Sequence, residues 1–345
     1  MKRMKQLWFI VAVILAVSCF FGLKGYAADD ADKSIELTYS NFFPPTHIQS
    51  QLAESWIKEI EKRSNGRVKI SYFPAGTLLK GPQIYDGVLK GITDMGMSCF
   101  AYTRGRFPTM EAIDLPLGYP SGEVATLAVN KFYEKFQPKE LKEVKVLYLH
   151  AHGPGLLHTR KPVHKMEDLK GMEIRCTGFS AKVAKALGAV PVAMGQGDAY
   201  EALRRGVVNG TFTPVETLKG WRQAEVIKYT IDCKDIGYTT GMYVVMNKQK
   251  WASLPEDVKK IFSDVSKEWT VKHGKAWDKS DEEGYKYSLS LGNKVIELNP
   301  KESARWVKAV RPVIDEYVKE AKIKGLPGDE CVKTIQIFIG EPNSI

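Results

Sequence analysis

Apolar and polar residues alternate over Ile35–Tyr39 and again over Arg67–Phe73, where Val68, Ile70 and Tyr72 share one face. A period of two predicts strands. Between these runs the spacing changes: Ile48, Leu52, Trp56 and Ile60 recur every four residues, which predicts a helix over Thr46–Ser64 ending at Asn65-Gly66. The exchange continues, with Ile84–Lys90 helical, Met95–Cys99 extended, Val124–Phe136 helical and Val144–His150 extended. Beyond Gly153-Pro154-Gly155 come a strand at Met172–Cys176, helices at Ser180–Leu187 and Ala199–Arg205, and strands at Val226–Ile231 and Met242–Met246. A long helix opens at Pro255 and reaches about Tyr287, and Glu302–Gly325 is periodic again, with Pro312 placed to kink or divide it. This β-α-β-α rhythm predicts an α/β fold whose largely parallel sheet is covered by helices on both faces.

The glycines and the second chain crossing near Gly241 divide the pattern into two α/β lobes, each discontinuous in sequence. Lobe 1 takes residues 34–153 and 242–282, and lobe 2 takes 154–241 and 283–345. Before them stands a leader. Lys2, Arg3 and Lys5 precede an apolar run from Leu7 to Leu23, and Gly25-Tyr26-Ala27 supplies the small residues a signal peptidase reads. The expectation is a secretory signal peptide over residues 1–27, cleaved after Ala27 or Ala28, and hence a periplasmic protein. The alternatives are a membrane anchor, or a lipoprotein at Cys19, where Ala16-Val17-Ser18 lacks the usual leucine. No later run approaches the roughly 20 apolar residues of a membrane helix. The remaining residues, about 310, suffice for two ordinary domains.

Charge changes this picture little. Loss of Lys2, Arg3, Lys5 and Lys24 with the leader lowers the formal charge from +10 to +6. The other Lys and Arg are interspersed with Asp and Glu, as in Glu54–Arg63 and Glu134–Lys145, and no basic stripe with interleaved aromatics suggests nucleic acid. No phosphate loop, dinucleotide glycine triplet, H-E-x-x-H helix or G-x-S-x-G elbow occurs. His150, His152, His158 and His164 form the best metal or enzyme candidate, yet no Cys pair or H-x₃-H spacing completes a site. We read them as loop or surface histidines and expect neither metal nor cofactor. Cys99, Cys176, Cys233 and Cys331 lack paired spacing, and for Cys99 and Cys176 the reading is a small buried apolar side chain.

The stretch from Lys161 to Trp221 carries the chemistry. Asp168-Leu169-Lys170-Gly171 turns the chain into a strand that ends at Arg175. An Arg at the carboxyl end of a strand in an α/β lobe points into the crevice where such folds bind ligands, and its rigid fork matches a carboxylate. From spacing alone, a surface Arg or an interdomain salt bridge remains open. Leu187-Gly188-Ala189, Val190-Pro191-Val192-Ala193-Met194, Asp198–Gly210 and Thr213-Pro214 follow. This run closely resembles the solute-binding subunit of tripartite ATP-independent periplasmic (TRAP) transporters, the dicarboxylate-binding-protein family. That family shows "DLKGxKIR", "LGAxPVxM" and "EVYxALQxGVVDGxENP", and this chain has matching residues at Asp168–Arg175, Leu187–Met194 and Asp198–Pro214. The likeness extends from about Ile35 past Pro255, through Arg67–Ile70, Phe73–Leu78, Gly91–Gly96 and Asn247–Val258.

The resemblance implies two α/β lobes joined by crossing strands and a long helix, in a periplasmic-binding-protein fold that closes over one ligand. Arg175 matches the family's carboxylate-binding Arg, and Thr213 stands where the family usually has the Asn of "ENP", a further carboxylate contact. Phe212 replaces the Glu of that motif. Many dicarboxylate and sialic-acid binders of the family carry a second Arg where this chain has Gly155-Leu156-Leu157-His158. That departure argues for a monocarboxylate with an aromatic or branched body, a C4-dicarboxylate being the alternative. Phe42, Phe43, Phe73, Tyr102, Trp221 and Tyr238 are candidate walls, each with an alternative as core or surface packing. Met194 is expected to pack beneath the ligand. The expected partners are the ligand and the transporter's membrane subunits, the binding protein itself being a monomer. A secreted enzyme and a chemosensory binding protein are the readings from other classes.

Overall fold

Two sheets, each with its own hydrophobic core, organise residues 34–340, the part of the chain that the computed structural model describes. The leader expected over residues 1–27 lies outside it. In chain order the strands are β1 (Ile35–Asn41), β2 (Val68–Phe73), β3 (Met95–Cys99), β4 (Val144–Ala151), β5 (Leu156–Thr159), β6 (Glu173–Cys176), β7 (Val190–Ala193), β8 (Gly210–Thr213), β9 (Tyr229–Asp232), β10 (Gly241–Asn247) and β11 (Lys294–Glu297). The first sheet has the order β2-β1-β3-β10-β4 and the second β11-β9-β5-β8-β6-β7.

Both sheets are mixed, where the rhythm of elements predicts a largely parallel one. β1 pairs in parallel with β2 and β3, but β10 runs antiparallel to β3 and β4. In the second sheet β5 is antiparallel to β8 and β9, while the remaining pairs are parallel. Connectivity explains the difference. The chain passes from β4 to β5 between Ala151 and Leu156 and returns from β9 to β10 between Asp232 and Gly241. A strand that has just crossed starts at the cleft, whereas its neighbours end there, so it must run against them.

The helices are α1 (Ile48–Arg63), α2 (Ile84–Leu89), α3 (Gly122–Phe136), α4 (Ser180–Ala186), α5 (Gln196–Arg205), α6 (Thr217–Gly220), α7 (Lys248–Ser253), α8 (Glu256–Ser290), α9 (Pro300–Ile323) and α10 (Gly328–Gly340). α1 shows how the four-residue spacing is used. Trp56, Ile57 and Ile60 are buried against the first sheet, and the helix ends at Ser64, followed by Asn65 and Gly66 with positive φ. Among the described residues no helix is long and apolar enough to cross a membrane.

α8 packs on α1, α3 and β4 of the first lobe and continues onto α6 of the second. At about 1.5 Å per residue its 35 residues span roughly 50 Å. Close approach to the second lobe depends on Gly284, where a Cβ would lie 2.3 Å from the Val215 carbonyl oxygen. α9 is not divided at Pro312, but it changes cores there. Trp306 and Val310 belong to the second core, whereas Val313, Tyr317 and Ala321 pack in the first. α10 follows them into the first core through Cys331, Val332 and Ile335. The apolar residues of this stretch thus pack in the first core, although the sequence division puts 283–345 with the second lobe, to which Glu316 and Glu320 stay tied through Lys182.

Candidate functional site

The carboxyl ends of the two sheets face one another, and the residues just beyond them enclose a cavity of about 40 Å³. From the first lobe come Phe42 and Phe43 after β1, Cys99 and Tyr102 at and after β3, and His152 after β4. The second lobe supplies Arg175 and Thr177 at and after β6, Gln196 after β7, and Phe212, Thr213, Pro214, Glu216 and Thr217 at and after β8. Trp221 follows α6, and Tyr238, Thr240 and Met242 come from the returning crossover and the start of β10. Ligand sites of open α/β sheets occupy this position.

Arg175 is buried, with 3% of its surface exposed. Its Nε and Nη2 both donate to the Met194 carbonyl, at 3.1 and 2.9 Å, which fixes the plane of the guanidinium. Thr213 is buried in the lining, and its Oγ1 lies 3.0 Å from Oγ1 of Thr217. Phe42 stacks on Phe43 with centroids 4.3 Å apart, and lies 6.1 Å from Trp221 and 5.4 Å from Tyr102. Phe212 meets Tyr238 edge-on at 6.1 Å. Tyr238 comes this close to the crossover only because residue 155 is glycine, whose Cβ would sit 2.1 Å from the ring.

Eight of the ten residues singled out in the sequence therefore line one cavity: Phe42, Phe43, Tyr102, Arg175, Phe212, Thr213, Trp221 and Tyr238. Phe73 and Met194 do not. Phe73 ends β2 at the far edge of the first sheet, half-buried, and the loop beyond it bonds back to the Phe43 carbonyl through Ala75. Met194 contributes its carbonyl to Arg175 and not its side chain to the wall.

Sequence reasoning missed Cys99, His152, Thr177, Gln196, Pro214, Glu216, Thr217, Thr240 and Met242 as lining residues. A signal existed, since almost all lie at or within four residues of a strand end that faces the cleft. The histidines also need correction. His150, His152 and His158 are buried, and only His164 is exposed. Their surroundings are apolar and aromatic, which a reading of the segment as surface loop does not anticipate. The described residues hold no cluster of His, Cys, Asp and Glu suited to a metal ion. Cys99 and Cys176 are free and buried, and burial pushes the Cys176 thiol up to about 12.

Direct contacts bridge the cleft. The Gln196 N–H donates to the Tyr102 hydroxyl at 3.0 Å. His47, before α1, meets Glu216 with Nε2 and Oε2 2.6 Å apart, at 1% and 3% exposure. Because His47 Nδ1 accepts from the Gln49 N–H, the proton of a neutral imidazole sits on Nε2 and points at the carboxylate. Glu216 and Trp221 also border a larger outer pocket of about 560 Å³, lined further by Lys219 and Arg222. They form the partition between it and the cavity.

His158 braces the site from behind. Its Nε2 lies 3.3 Å from the Thr213 carbonyl, an acceptor only, so Nε2 carries the proton and Nδ1 accepts from Thr230 Oγ1 at 2.9 Å. Burial holds its pKa down at about 4. In the unfolded chain the ring binds a proton below about pH 6.5, while the folded ring does not until about pH 4, so its contribution to stability falls as pH drops through that window. The stability advantage of the natural protein over His158→Asn is therefore expected to shrink by about 1.4 kcal/mol per pH unit between pH 6.5 and 4. Urea denaturation of both proteins at pH 7, 6 and 5 checks this, and a constant difference contradicts it.

A family model described as bacterial extracellular solute-binding protein, family 7, matches residues 39–321. The C4-dicarboxylate-binding periplasmic protein of Vibrio cholerae is 25% identical over 326 residues, covering 92% of this chain and 95% of its own. Among solved structures, a TRAP solute-binding protein from a marine metagenome, specific for aromatic acids and holding 3-hydroxybenzoate, superposes with a TM-score of 0.86. It is 29% identical, and the match covers 90% of this chain and 100% of that one. A Bordetella bronchiseptica TRAP periplasmic solute-binding protein with bound (R)- and (S)-mandelate gives a TM-score of 0.82 at 28% identity, over 88% and 98% of the two chains.

Proposed function

From the premise that this chain belongs to family 7 of the bacterial extracellular solute-binding proteins, we propose that it captures a small monocarboxylate with an aromatic or branched body and delivers it to the membrane subunits of a TRAP transporter. The observation that carries this reading is the pairing of one buried, pre-oriented guanidinium with a wall of rings in one cavity between the lobes. Arg175 supplies the two parallel N–H groups a carboxylate needs, and the rings favour an apolar or planar body by stacking and burial. The neighbours that hold 3-hydroxybenzoate and mandelate support the same class.

The Vibrio relative is named for C4-dicarboxylates. Against that ligand here stands the composition of the lining, in which Arg175 is the one Lys or Arg and Glu216 adds a carboxylate. A second ionised carboxylate buried without a partner carries a penalty of several kcal/mol. We further propose that closure follows the two crossovers and α8 as hinges. The cavity's 40 Å³ is smaller than the roughly 150 Å³ that accommodates benzene, so the lobes or Trp221 must move to admit a ring. Ligand that bridges both lobes then favours the closed form through its differential contacts.

A thermal-shift panel of benzoate, mandelate, branched 2-oxo and 2-hydroxy acids, succinate and malate tests the ligand class. A ligand at 100 times its Kd adds about 2.7 kcal/mol of stability, which raises Tm by about 5 °C for a chain this long. We expect such a shift with an aromatic or branched monocarboxylate. A shift with succinate or malate alone contradicts the monocarboxylate reading.

A further inference from the structure

His152 faces the cavity from the first lobe, opposite Arg175 on the second. Its Nδ1 lies 2.5 Å from the Gly153 carbonyl oxygen. A carbonyl accepts and cannot donate, so the Nδ1 atom carries the proton and Nε2 is left with a lone pair. The ring is held edge-on by Tyr238 at 5.8 Å and by Trp277 at 6.2 Å, and the Thr239 hydroxyl pins the residue's own carbonyl at 2.6 Å. No described residue donates a hydrogen bond to Nε2, although only 3% of the residue is exposed. Burial, with the nearby Arg175 charge adding to it, keeps the imidazole neutral down to about pH 4. A fixed acceptor without a donor therefore lines the same cavity of about 40 Å³ as a fixed carboxylate anchor.

Building on the carboxylate reading above, we infer that His152 is a specificity residue that accepts a hydrogen bond from a hydroxyl next to the ligand's carboxylate, so that the cavity selects 2-hydroxy acids. A 2-oxo group offers only lone pairs, which oppose the lone pair of Nε2. A methylene in that place leaves Nε2 buried and unpaired. Sites that read a hydroxyl reject the analogue lacking it because their polar groups go unsatisfied. Glu216 is the one carboxylate in the wall, and its Oε2 is engaged by His47. The Gln196 amide oxygen and the Thr and Tyr hydroxyls of the lining can accept as well, but unlike Nε2 of this tautomer the hydroxyls can also donate.

Calorimetry with two matched sets tests the inference: mandelate, phenylglyoxylate and phenylacetate, and 2-hydroxy-4-methylpentanoate, 4-methyl-2-oxopentanoate and 4-methylpentanoate. The natural protein is expected to favour the hydroxy member of whichever set it binds by about 10- to 100-fold. His152→Phe is expected to bring the three members within about threefold of one another, while His152→Gln, whose amide oxygen still accepts, keeps part of the preference. Equal binding of the three acids by the natural protein overturns the inference and needs no variant. A preference that survives in His152→Phe and disappears in Glu216→Gln overturns it as well, by assigning the role to Glu216. Binding of carboxylates without a hydroxyl preference overturns this inference alone, whereas failure of every carboxylate to bind overturns the reading beneath it too.

Discussion

Arg175→Ala is expected to weaken ligand binding by about 30- to 5,000-fold, or 2–5 kcal/mol, with the protein still folded. The magnitude follows from leaving a carboxylate in a buried cavity with no other Lys or Arg in the lining. The fold is expected to survive because the side chain's internal hydrogen bonds go chiefly to the Met194 carbonyl, with the Tyr102 hydroxyl beside it. Leaving that carbonyl oxygen unpaired costs about 1–3 kcal/mol. Arg175→Lys is expected to fail almost as badly. Two N–H groups of the natural side chain grip Met194 while its other edge remains for the ligand, and a single ammonium cannot serve both in that geometry. Calorimetric affinities within threefold of the natural protein, for either variant, remove Arg175 from the site.

The second large effect is on stability. Trp277, near the middle of α8, has no exposed surface and touches Phe43 at 5.9 Å, His47 at 6.1 Å and His152 at 6.2 Å. Its Nε1 donates to His150 Nδ1 at 3.1 Å, and His150 stacks on His273 at 4.7 Å. The helix approaches α3 so closely here that a Cβ on Gly122 would lie 2.4 Å from the Cβ of Trp277. Trp277→Ala is expected to cost about 3–5 kcal/mol, since rigid neighbours on several sides cannot collapse into the space. It also removes the partner of a buried imidazole. Urea denaturation checks the number, and a loss below about 1 kcal/mol would show that the first lobe repacks around the gap.

Most elements that were legible in the sequence are those with a period long enough to measure, the four-residue β6 being read instead from the turn that precedes it. α1, with Trp56 and Ile60 on its buried face, and β3, which matches Met95–Cys99 residue for residue, are of the periodic kind. β5, β8 and β11 are four-residue strands, too short to display alternation, and β11 lies exposed at a sheet edge. Sheet direction was illegible for a different reason. Whether β10 runs with or against β3 depends on where the chain re-enters the sheet, and no local pattern records that. In the site, Arg175 and the rings stood out because a strand-end Arg and clustered aromatics are conspicuous residue types. Thr177, Gln196 and Glu216 did not, because such residues are common on any surface. Thr177 is half-buried and Gln196 and Glu216 are buried, which follows from position after β6, β7 and β8 rather than from their chemistry. His152 was visible as part of a histidine cluster but assigned to loop or surface, since its seclusion comes from Tyr238 and Trp277, distant in the chain.

The place of β10 between β3 and β4 bears on how the chain can assemble as it is synthesised. A polypeptide that appears amino terminus first has β1 to β4 early, but with a gap where their shared neighbour belongs. Residues 152–240, which build most of the other sheet, must all appear before Gly241–Asn247 can fill it. Even then the first core stays open until Val313, Tyr317 and Cys331 arrive near the carboxyl end. Contacts between residues so far apart in sequence slow folding, because a long loop must close before they form. A nascent chain of this design therefore remains without a finished domain until it is nearly complete, and so stays in a state that can still be threaded.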